Sequence, residues 1–264
     1  MEPRRRGPTV LPEPSIAGLR PAMSLKIIAG EYRGRVLRSV KGFMTRPLLG
    51  QVREALFNIL GDRVVDAEVW DLFAGTGASG LEALSRGARR VVFVEKGRQP
   101  IETLHANLEM LGASASERAV VLRGDAWDPM PPGPDGADEA PRPDVIFLDP
   151  PYPQVGEDPG RAAWRAQRLA ERLAPGGVLC FHFQEGHLEA DDFDGDVELR
   201  RYGRTVIALL EAAGDRPART PQAACAVEET VDPLPVTVPA AEGESEDGAC
   251  AEDDEDVVDH GEEE

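Results

Sequence analysis

Cysteine and long apolar runs are scarce in this sequence of 264 residues. Its three cysteines, Cys180, Cys225 and Cys250, are too few for a disulfide framework and lack the spacing of metal ligands. No stretch reaches the ~20 consecutive apolar residues of a membrane helix, and no apolar run follows the N-terminal arginines as in a secretory signal. We therefore expect a cytoplasmic protein without a membrane segment.

Positive charge is also scarce overall, but it is unevenly distributed. The net charge is −19; residues 212–264 hold 17 Asp and Glu against 2 Arg, whereas residues 1–60 hold 11 Lys and Arg against 4 Glu. Because phosphate is bound by a local basic surface, the acidic average does not exclude a nucleic-acid partner. The candidate phosphate contacts are Lys26, Arg33, Arg35, Arg46 and Arg53; the alternative is an ordinary solvated basic face.

Both ends of the chain have the composition of disordered segments. Residues 1–22 contain five prolines without hydrophobic periodicity, and residues 212–264 combine prolines, an acidic run and no aromatic residue. Between them we predict an N-terminal hairpin segment, residues 23–50, and a main domain, residues 51–211. The Pro- and Gly-rich residues 128–143 predict a surface loop.

Strands alternate with helices through the main domain. Helices are predicted at residues 51–60, 77–86, 99–111 and 159–173. Strands are predicted at residues 69–73, 90–95, 119–123, 145–148 and 178–183, followed by an antiparallel pair at 197–202 and 205–210. This order predicts an α/β fold with a mostly parallel seven-stranded sheet, helices on both faces and a small N-terminal β-hairpin.

A glycine-rich turn follows the first predicted strand of the main domain, in the segment DLFAGTGASG. Gly75 and Gly77 let the backbone turn tightly and approach a ligand, and the following helix offers free N–H groups. Glu95 ends the next strand and could hold the two hydroxyls of a ribose, although it could also be a solvated strand end. The pattern alone also fits a dinucleotide-binding unit.

Acidic residues near this turn favour a different ligand. Asp71, at the end of the first strand, suits the amino group of S-adenosylmethionine and would repel a pyrophosphate. Asp125 follows the third strand and could accept a hydrogen bond from adenine, or it could cap a loop. The complete predicted cofactor-binding set is Asp71, Phe73, Gly75, Gly77, Glu95, Asp125 and Ala126.

A second motif, DPPY, ends the apolar strand at residues 145–148. Asp149, Pro150, Pro151 and Tyr152 are the candidate catalytic residues. The prolines remove backbone donors and leave carbonyl acceptors exposed, so the turn offers a carboxylate, a carbonyl and an aromatic ring. This set fits a planar ring with an exocyclic amino group. The alternative is a structural turn with Tyr152 in the core.

The sequence resembles the class I, Rossmann-like S-adenosylmethionine-dependent methyltransferases that modify exocyclic amino groups. It is most similar to the bacterial family that methylates N2 of one guanine in 16S ribosomal RNA. The similarity runs from about Leu25 to Leu210 through KIIAGEYRGRVL, VREALFNIL, DLFAGTGASGLEALSRGA, VVFVEK and FLDPPY.

The resemblance implies a mechanism and a partner. Asp149 and the Pro150 carbonyl would accept the two amino hydrogens, Tyr152 would stack on the base, and the basic N-terminal segment would contact RNA. Ribosomal RNA or the assembling small subunit would be the partner of a monomeric enzyme. Alternatives are a DNA adenine or protein glutamine methyltransferase, or a non-catalytic assembly factor. We expect no metal, because His105, His182 and His187 share no ligand spacing and suit surface or packing roles.

Overall fold

The computed structural model describes residues 25–40, 47–131 and 142–214. The predicted disordered segments lie outside this range, except for residues 212–214, and so do Arg46 and most of the predicted surface loop.

Six helices and seven strands make up the described fold. The helices are α1 (Pro47–Leu60), α2 (Ala78–Ser85), α3 (Arg98–Leu111), α4 (Ala113–Glu117), α5 (Tyr152–Glu157) and α6 (Pro159–Ala170). The strands are β1 (Glu68–Leu72), β2 (Arg90–Glu95), β3 (Ala119–Arg123), β4 (Val145–Leu148), β5 (Val178–Gln184), β6 (Glu198–Tyr202) and β7 (Thr205–Glu211). Within the described residues, no helix has the length and apolar character needed to cross a bilayer.

The strands form one sheet in the order β3-β2-β1-β4-β5-β7-β6. All neighbours from β3 to β5 are parallel, and β7 runs antiparallel to both β5 and β6. The predicted fold class and the closing antiparallel pair are therefore confirmed. Because β1 lies between β2 and β4, the connections leave it in opposite directions, and a crevice opens at its carboxyl end.

Both faces of the sheet are covered, as predicted. Alternate residues of β1 point to opposite faces, so Val69 belongs to one buried cluster and Trp70 to the other. The first cluster includes apolar residues of α1, α2 and α3, and the second includes those of α6. Burial on both faces explains why the strands read as continuous apolar runs.

Two short helices were not predicted from the sequence. Helix α5 begins at Tyr152, inside the DPPY motif, because Pro151 and Pro153 occupy positions where a helix start tolerates a missing N–H. Helix α4 is a single turn following Gly112. Helix α6 ends at Ala170, three residues before the predicted end, and the chain then turns toward β5.

The N-terminal segment, residues 25–40, forms a tight loop with a single bridge between Lys26 and Val36. The segment therefore folds back on itself as predicted, but with one bridge instead of two paired strands. It is fixed to α2 by the buried Glu82, whose carboxylate accepts the N–H groups of Ile28 and Ala29 at 2.7 and 3.0 Å. Ser85, one turn further along α2, donates to the Ala29 carbonyl at 2.6 Å.

Gly30 and Gly34 provide a matched test of this contact. Both have φ near +80°, but a Cβ at Gly30 would lie 1.8 Å from the Ser85 carbonyl oxygen, whereas a Cβ at Gly34 would have no atom within 4 Å. Gly34→Ala should cost about 1–2 kcal/mol through backbone strain alone. Gly30→Ala should cost a further ~1–3 kcal/mol because the loop must move off α2.

Urea unfolding and hydrogen exchange at Ile28 and Ala29 would measure both effects. Equal stability and equal protection in the two variants would contradict the close approach of Gly30 to α2.

Candidate active site

The connection from β1 to α2 is a loop held in an unusual backbone conformation. Phe73, Gly75 and Gly77 have φ values of +60°, +56° and +85°. At Gly77 a Cβ would lie 2.3 Å from a Leu104 methyl group, so a larger residue would have to displace this core side chain as well as adopt a positive φ. Around Gly75 the nearest atom to such a Cβ would be 4.0 Å away, which leaves open space beside the loop where a ligand can approach the backbone.

Asp71 lies beneath this loop and is almost fully buried. Its Oδ2 accepts the N–H of Gly80 at 2.8 Å and so ties β1 to the first turn of α2. Burial raises the pKa of Asp71 to about 8; the Gly80 hydrogen bond opposes the shift, and the charges of Asp149 and Glu95 add to it. A nearby cation would stabilise the ionised form.

Glu95 is brought against the same loop from the end of β2. Its Oε2 accepts the N–H of Gly75 at 2.9 Å, and its Oε1 accepts those of Lys96 and Gly97 at 2.9 and 2.7 Å. The carboxylate therefore turns toward the glycine turn and does not extend into solvent. It lies where the acid of a ribose-binding strand end is expected.

Asp125 and Ala126 follow β3 at the neighbouring position of the same edge. Asp125 is exposed, and its Oδ1 accepts the N–H of Trp127 at 3.0 Å, as a loop-capping residue does. Trp127, which the sequence did not indicate, packs edge-on against Phe73 with ring centroids 5.3 Å apart. Asp125 and Ala126 therefore lie next to the aromatic pair formed by Phe73 and Trp127, and Ala126 is buried in the core.

The DPPY turn follows β4, next to β1. The Asp149 side chain is half exposed, and its backbone N–H donates to the Leu72 carbonyl at 3.3 Å. The Pro151 carbonyl accepts the N–H of Gln154 in α5, whereas the Pro150 carbonyl has no donor among the residues that the structure describes. Of the two proline carbonyls, Pro150 is the one available to a ligand.

His182 packs against Tyr152, as a packing residue does, and it also contacts Asp149 of this turn, which the sequence did not predict. Its Nδ1 lies 2.7 Å from Asp149 Oδ1, and its Nε2 lies 3.3 Å from the Tyr152 hydroxyl. That hydroxyl is also 3.4 Å from Oγ1 of Thr205. Burial alone would lower the pKa of His182, but the charge and hydrogen bond of Asp149 outweigh it and raise the pKa.

The predicted basic set divides into exposed and buried members. Lys26, Arg33 and Arg35 are exposed on the N-terminal segment. Arg53 is only 8% exposed, and its guanidinium donates to the Lys26 carbonyl at 2.5 Å. Arg53 is therefore not part of an exposed basic face, and its assignment as a surface phosphate contact was wrong.

A cavity of about 140 Å³ opens between α1 and the ends of β4 and β5. Its lining includes Arg53, Thr76, Ala78, Asp149 and His182. A larger groove of about 620 Å³ borders α6 and the end of β7, but it contains none of the predicted site residues.

Residues 25–211 match the model of the family described as Conserved hypothetical protein 95. The chain belongs to this family. It is 32% identical over 193 residues to "Putative rRNA methyltransferase YlbH" of Bacillus subtilis, an alignment that spans 72% of this chain and all of the relative. It is 39% identical over 128 residues to "Ribosomal RNA small subunit methyltransferase D" of Haemophilus influenzae, spanning 48% of this chain and 64% of that protein.

Solved structures agree with the family assignment. "Putative methyltransferase yhhF from Escherichia coli" superposes with a TM-score of 0.58 at 29% identity, covering 73% of this chain and 99% of that one. A Thermus thermophilus 16S rRNA N2 methyltransferase in complex with AdoMet and guanosine gives a TM-score of 0.52 at 26% identity, covering 72% and 49% of the two chains. The fold is that of the class I S-adenosylmethionine-dependent methyltransferases, and the resemblance inferred from the motifs is confirmed.

Asp71 gives a pH-dependent prediction. The pKa of Asp71 is about 8 in the folded protein, compared with an ordinary value of 3.8. Between pH 3.8 and pH 8, therefore, Asp71 is protonated in the folded protein and ionised in the unfolded chain. Its contribution to stability is complete below pH 3.8 and is lost as the pH rises to 8. Asp71→Asn keeps an oxygen for the Gly80 N–H but cannot ionise. As the pH rises from 3.8 to 8, the free energy of unfolding of the variant should therefore increase relative to that of wild type by up to about 1.4 kcal/mol per pH unit.

Urea unfolding of both proteins at pH 5, 6.5, 8 and 9 would test the prediction. Stability curves that stay parallel from pH 5 to 8 would show that the pKa of Asp71 is not raised.

Proposed function

We propose that this protein transfers a methyl group from S-adenosylmethionine to the N2 amino group of a guanine in small-subunit ribosomal RNA. The observation that carries the proposal is the position of the DPPY turn. Asp149 and the free Pro150 carbonyl lie at the switch point of the sheet, beside the glycine loop that Glu95 and Asp71 support. Ligands of open α/β sheets bind at this place.

The residues around the glycine loop fit S-adenosylmethionine. The space beside Gly75 lets the cofactor approach the backbone, and Glu95 lies within reach of ribose hydroxyls if its bond to Gly75 is exchanged. The acidic side chains of Asp71 and Glu95 suit a ligand that carries a cationic ammonium and a sulfonium. When bound, the cofactor supplies an electrophilic methyl group on sulfur.

Asp149 and Pro150 prepare the nucleophile. The amino lone pair of guanine is delocalised into the ring, so it is a poor nucleophile. Hydrogen bonds from the two amino hydrogens to Asp149 and to the Pro150 carbonyl would draw the nitrogen toward tetrahedral geometry. Orientation of this kind supplies much of the rate of group transfer. As the N–C bond formed and the methyl–sulfur bond of the cofactor broke, the amine would lose a proton, for which Asp149 is the adjacent acceptor.

His182 acts on the reaction through Asp149. A carboxylate can only accept, so His182 Nδ1–H donates to Oδ1 and leaves Oδ2 for the substrate amine. The same imidazole lies next to the Tyr152 hydroxyl, which fixes the ring on which the target base would stack. We therefore assign His182 as a positioning residue.

The exposed basic residues of the N-terminal segment, Lys26, Arg33 and Arg35, are the proposed RNA contact. Two findings favour ribosomal RNA and guanine N2: the names of the relatives, and a similar fold solved with AdoMet and guanosine. Mass spectrometry of ribosomal nucleosides from a deletion strain would test the substrate. Loss of N2-methylguanosine supports the proposal, whereas an unchanged nucleoside profile would direct attention to DNA adenine, protein glutamine or a non-catalytic assembly role.

Substitutions of the DPPY turn should separate catalysis from cofactor binding. Asp149→Ala should abolish methyl transfer while cofactor affinity changes by no more than about threefold, because Asp149 faces the amine. Asp149→Asn should be less severe, since its amide oxygen still accepts one hydrogen bond. Tyr152→Phe should retain activity, and Tyr152→Ala should lose roughly 1–3 kcal/mol of base stacking. Single-turnover methylation of small-subunit particles would measure all four, and a fully active Asp149→Ala enzyme would refute the assignment.

His182 can be tested by partial rescue. His182→Ala should reduce the single-turnover rate by about 10- to 100-fold, the range for loss of one hydrogen bond to a charged group. His182→Asn should recover part of that loss, because its side-chain N–H₂ can still donate toward Asp149. Calorimetry should show unchanged cofactor affinity in both variants. Equal rates for the alanine and asparagine variants would argue against a donor role.

A further inference from the structure

The edge strand β6 and the turn that follows it are rich in arginine. Residues 198–204 read ELRRYGR, with three arginines against one glutamate in a chain whose net charge is −19. The turn between β6 and β7 consists of Gly203, which has a φ of +61°, and Arg204. A two-residue turn that starts with glycine is a tight hairpin connection, so Arg204 has a defined position. Concentrated positive charge on an acidic protein indicates a surface for an anionic partner.

Successive residues of β6 point to opposite faces of the sheet. Tyr202 packs against the buried cluster that includes α1, whereas Leu199 packs against the cluster that includes α6. Because side chains two residues apart share a face, Arg200 lies on the α1 face together with Tyr202. Arg201 lies on the opposite face, where its guanidinium is 2.6 Å from the Glu189 carboxylate. The α1 face of β6 therefore carries an arginine and a tyrosine side by side.

Strand register places this face beside the DPPY turn. Tyr202 is opposite Thr205 of β7, whose Oγ1 is 3.4 Å from the hydroxyl of the DPPY tyrosine. Arg200 is opposite Ile207, and Ile207 is in turn opposite His182 of β5. Neighbouring strands are about 5 Å apart, so the backbones of Arg200 and His182 are separated by about 10 Å. The α1 face of the β6–β7 hairpin is therefore continuous with the proposed catalytic site.

The side chains on this surface are accessible to a ligand. Arg200 is half exposed and pairs with Glu198, which lies two residues earlier on the same face. An exposed ion pair contributes little to stability, so a phosphate can replace the glutamate. Arg204 is exposed and has no carboxylate at ion-pair distance in the part of the chain that the structure describes. Tyr202 is partly exposed beside them.

The hairpin and the N-terminal segment lie on opposite sides of the catalytic turn. The N-terminal segment is fixed to α2, which connects β1 to β2, whereas β6 is the edge strand beyond β5 and β7. A base that is modified by an enzyme must leave its stack, and the nucleotides next to it then need contacts of their own. We propose that the β6–β7 hairpin binds RNA next to the target guanine, with Tyr202 stacking on a neighbouring base and Arg200 and Arg204 contacting phosphates.

This inference rests on the proposed function, because it takes RNA as the substrate. Proteins bind unpaired RNA by stacking bases on aromatic rings and by contacting the backbone with basic side chains, and both kinds of group are present on this face. A tyrosine stack without sequence readout tolerates any neighbouring base. The hairpin would therefore hold the strand and leave recognition of the guanine amino group to the DPPY turn.

Binding of small-subunit particles from a deletion strain would test the contact. Tyr202→Ala should weaken binding by about 5- to 150-fold, the range for one base stack, without changing its salt dependence, and Tyr202→Phe should bind like wild type. Replacing Arg200 and Arg204 together by Gln should weaken binding and make its logarithmic salt dependence shallower by about 1.4, or about 0.7 for each phosphate contact on a single strand. Arg201→Gln removes the same charge on the opposite face and should stay within about twofold of wild type.

Two further measurements separate the hairpin contact from the proposed function. At saturating particle concentration, all of these variants should keep the wild-type single-turnover rate of methylation, and calorimetry should show unchanged affinity for S-adenosylmethionine. A photoreactive benzophenone amino acid in place of Tyr202 should crosslink to 16S ribosomal RNA. Crosslinking to a ribosomal protein alone would assign the hairpin to a protein partner and refute the RNA contact.

The remaining outcomes also decide the matter. Wild-type binding by both Tyr202→Ala and the double arginine variant would overturn the hairpin contact and leave the proposed function standing. Equal weakening by Arg201→Gln would reduce the effect to overall charge. If Tyr202→Ala does not fold, the double arginine variant and its Arg201→Gln control give the answer. A wild-type protein that neither binds nor methylates the particles would refute the hairpin contact and the proposed function together.

Discussion

The position of helix α2 is the constraint on which the rest of the site depends. Two buried carboxylates fix this short helix. Asp71 of β1 accepts the N–H of Gly80 in the first turn of α2, and Glu82, in the middle of α2, accepts two N–H groups of the N-terminal segment. The glycine loop, the α2 N-terminus and the basic segment therefore keep fixed positions relative to β1. Buried carboxylates are costly to desolvate, and here the cost is offset by backbone N–H donors with good geometry.

The strands and the glycine loop could be predicted because their signals are local. The runs RVVFVE and VIFL are rich in β-branched and aromatic residues, and their central residues are buried on both faces, so the bounds of β2 and β4 match the prediction. The carboxyl-end residues Asp71, Glu95, Asp125 and Asp149 then follow from the rule that parallel strands end at one edge. Their roles in the chemistry stay proposals.

The wrong exposure of Arg53 and the two missed contacts all involve residues that are far apart in the chain. Arg53 lies next to Val52 on α1, and its burial depends on a segment 27 residues away that covers it. His182 approaches Asp149 because Leu148 of β4 pairs with Phe181 of β5, which places the next residue of each strand side by side. Strand order and register were both needed to predict this pair, and neither can be read from a lone histidine. Trp127 beside Phe73 was missed for the same reason.

Asn107, on α3, is completely buried and touches both the cofactor loop and the N-terminal segment. Its amide nitrogen donates to the carbonyls of Thr76 and Arg38 at 3.0 and 3.2 Å, and its oxygen accepts the Arg38 N–H at 2.8 Å. One rigid amide cannot shift toward one partner without moving relative to the other. A shift of the glycine loop is therefore transmitted through Asn107 to the N-terminal segment. If S-adenosylmethionine binds at this loop and RNA at this segment, as proposed, any effect of one ligand on the affinity for the other is matched by an equal reciprocal effect.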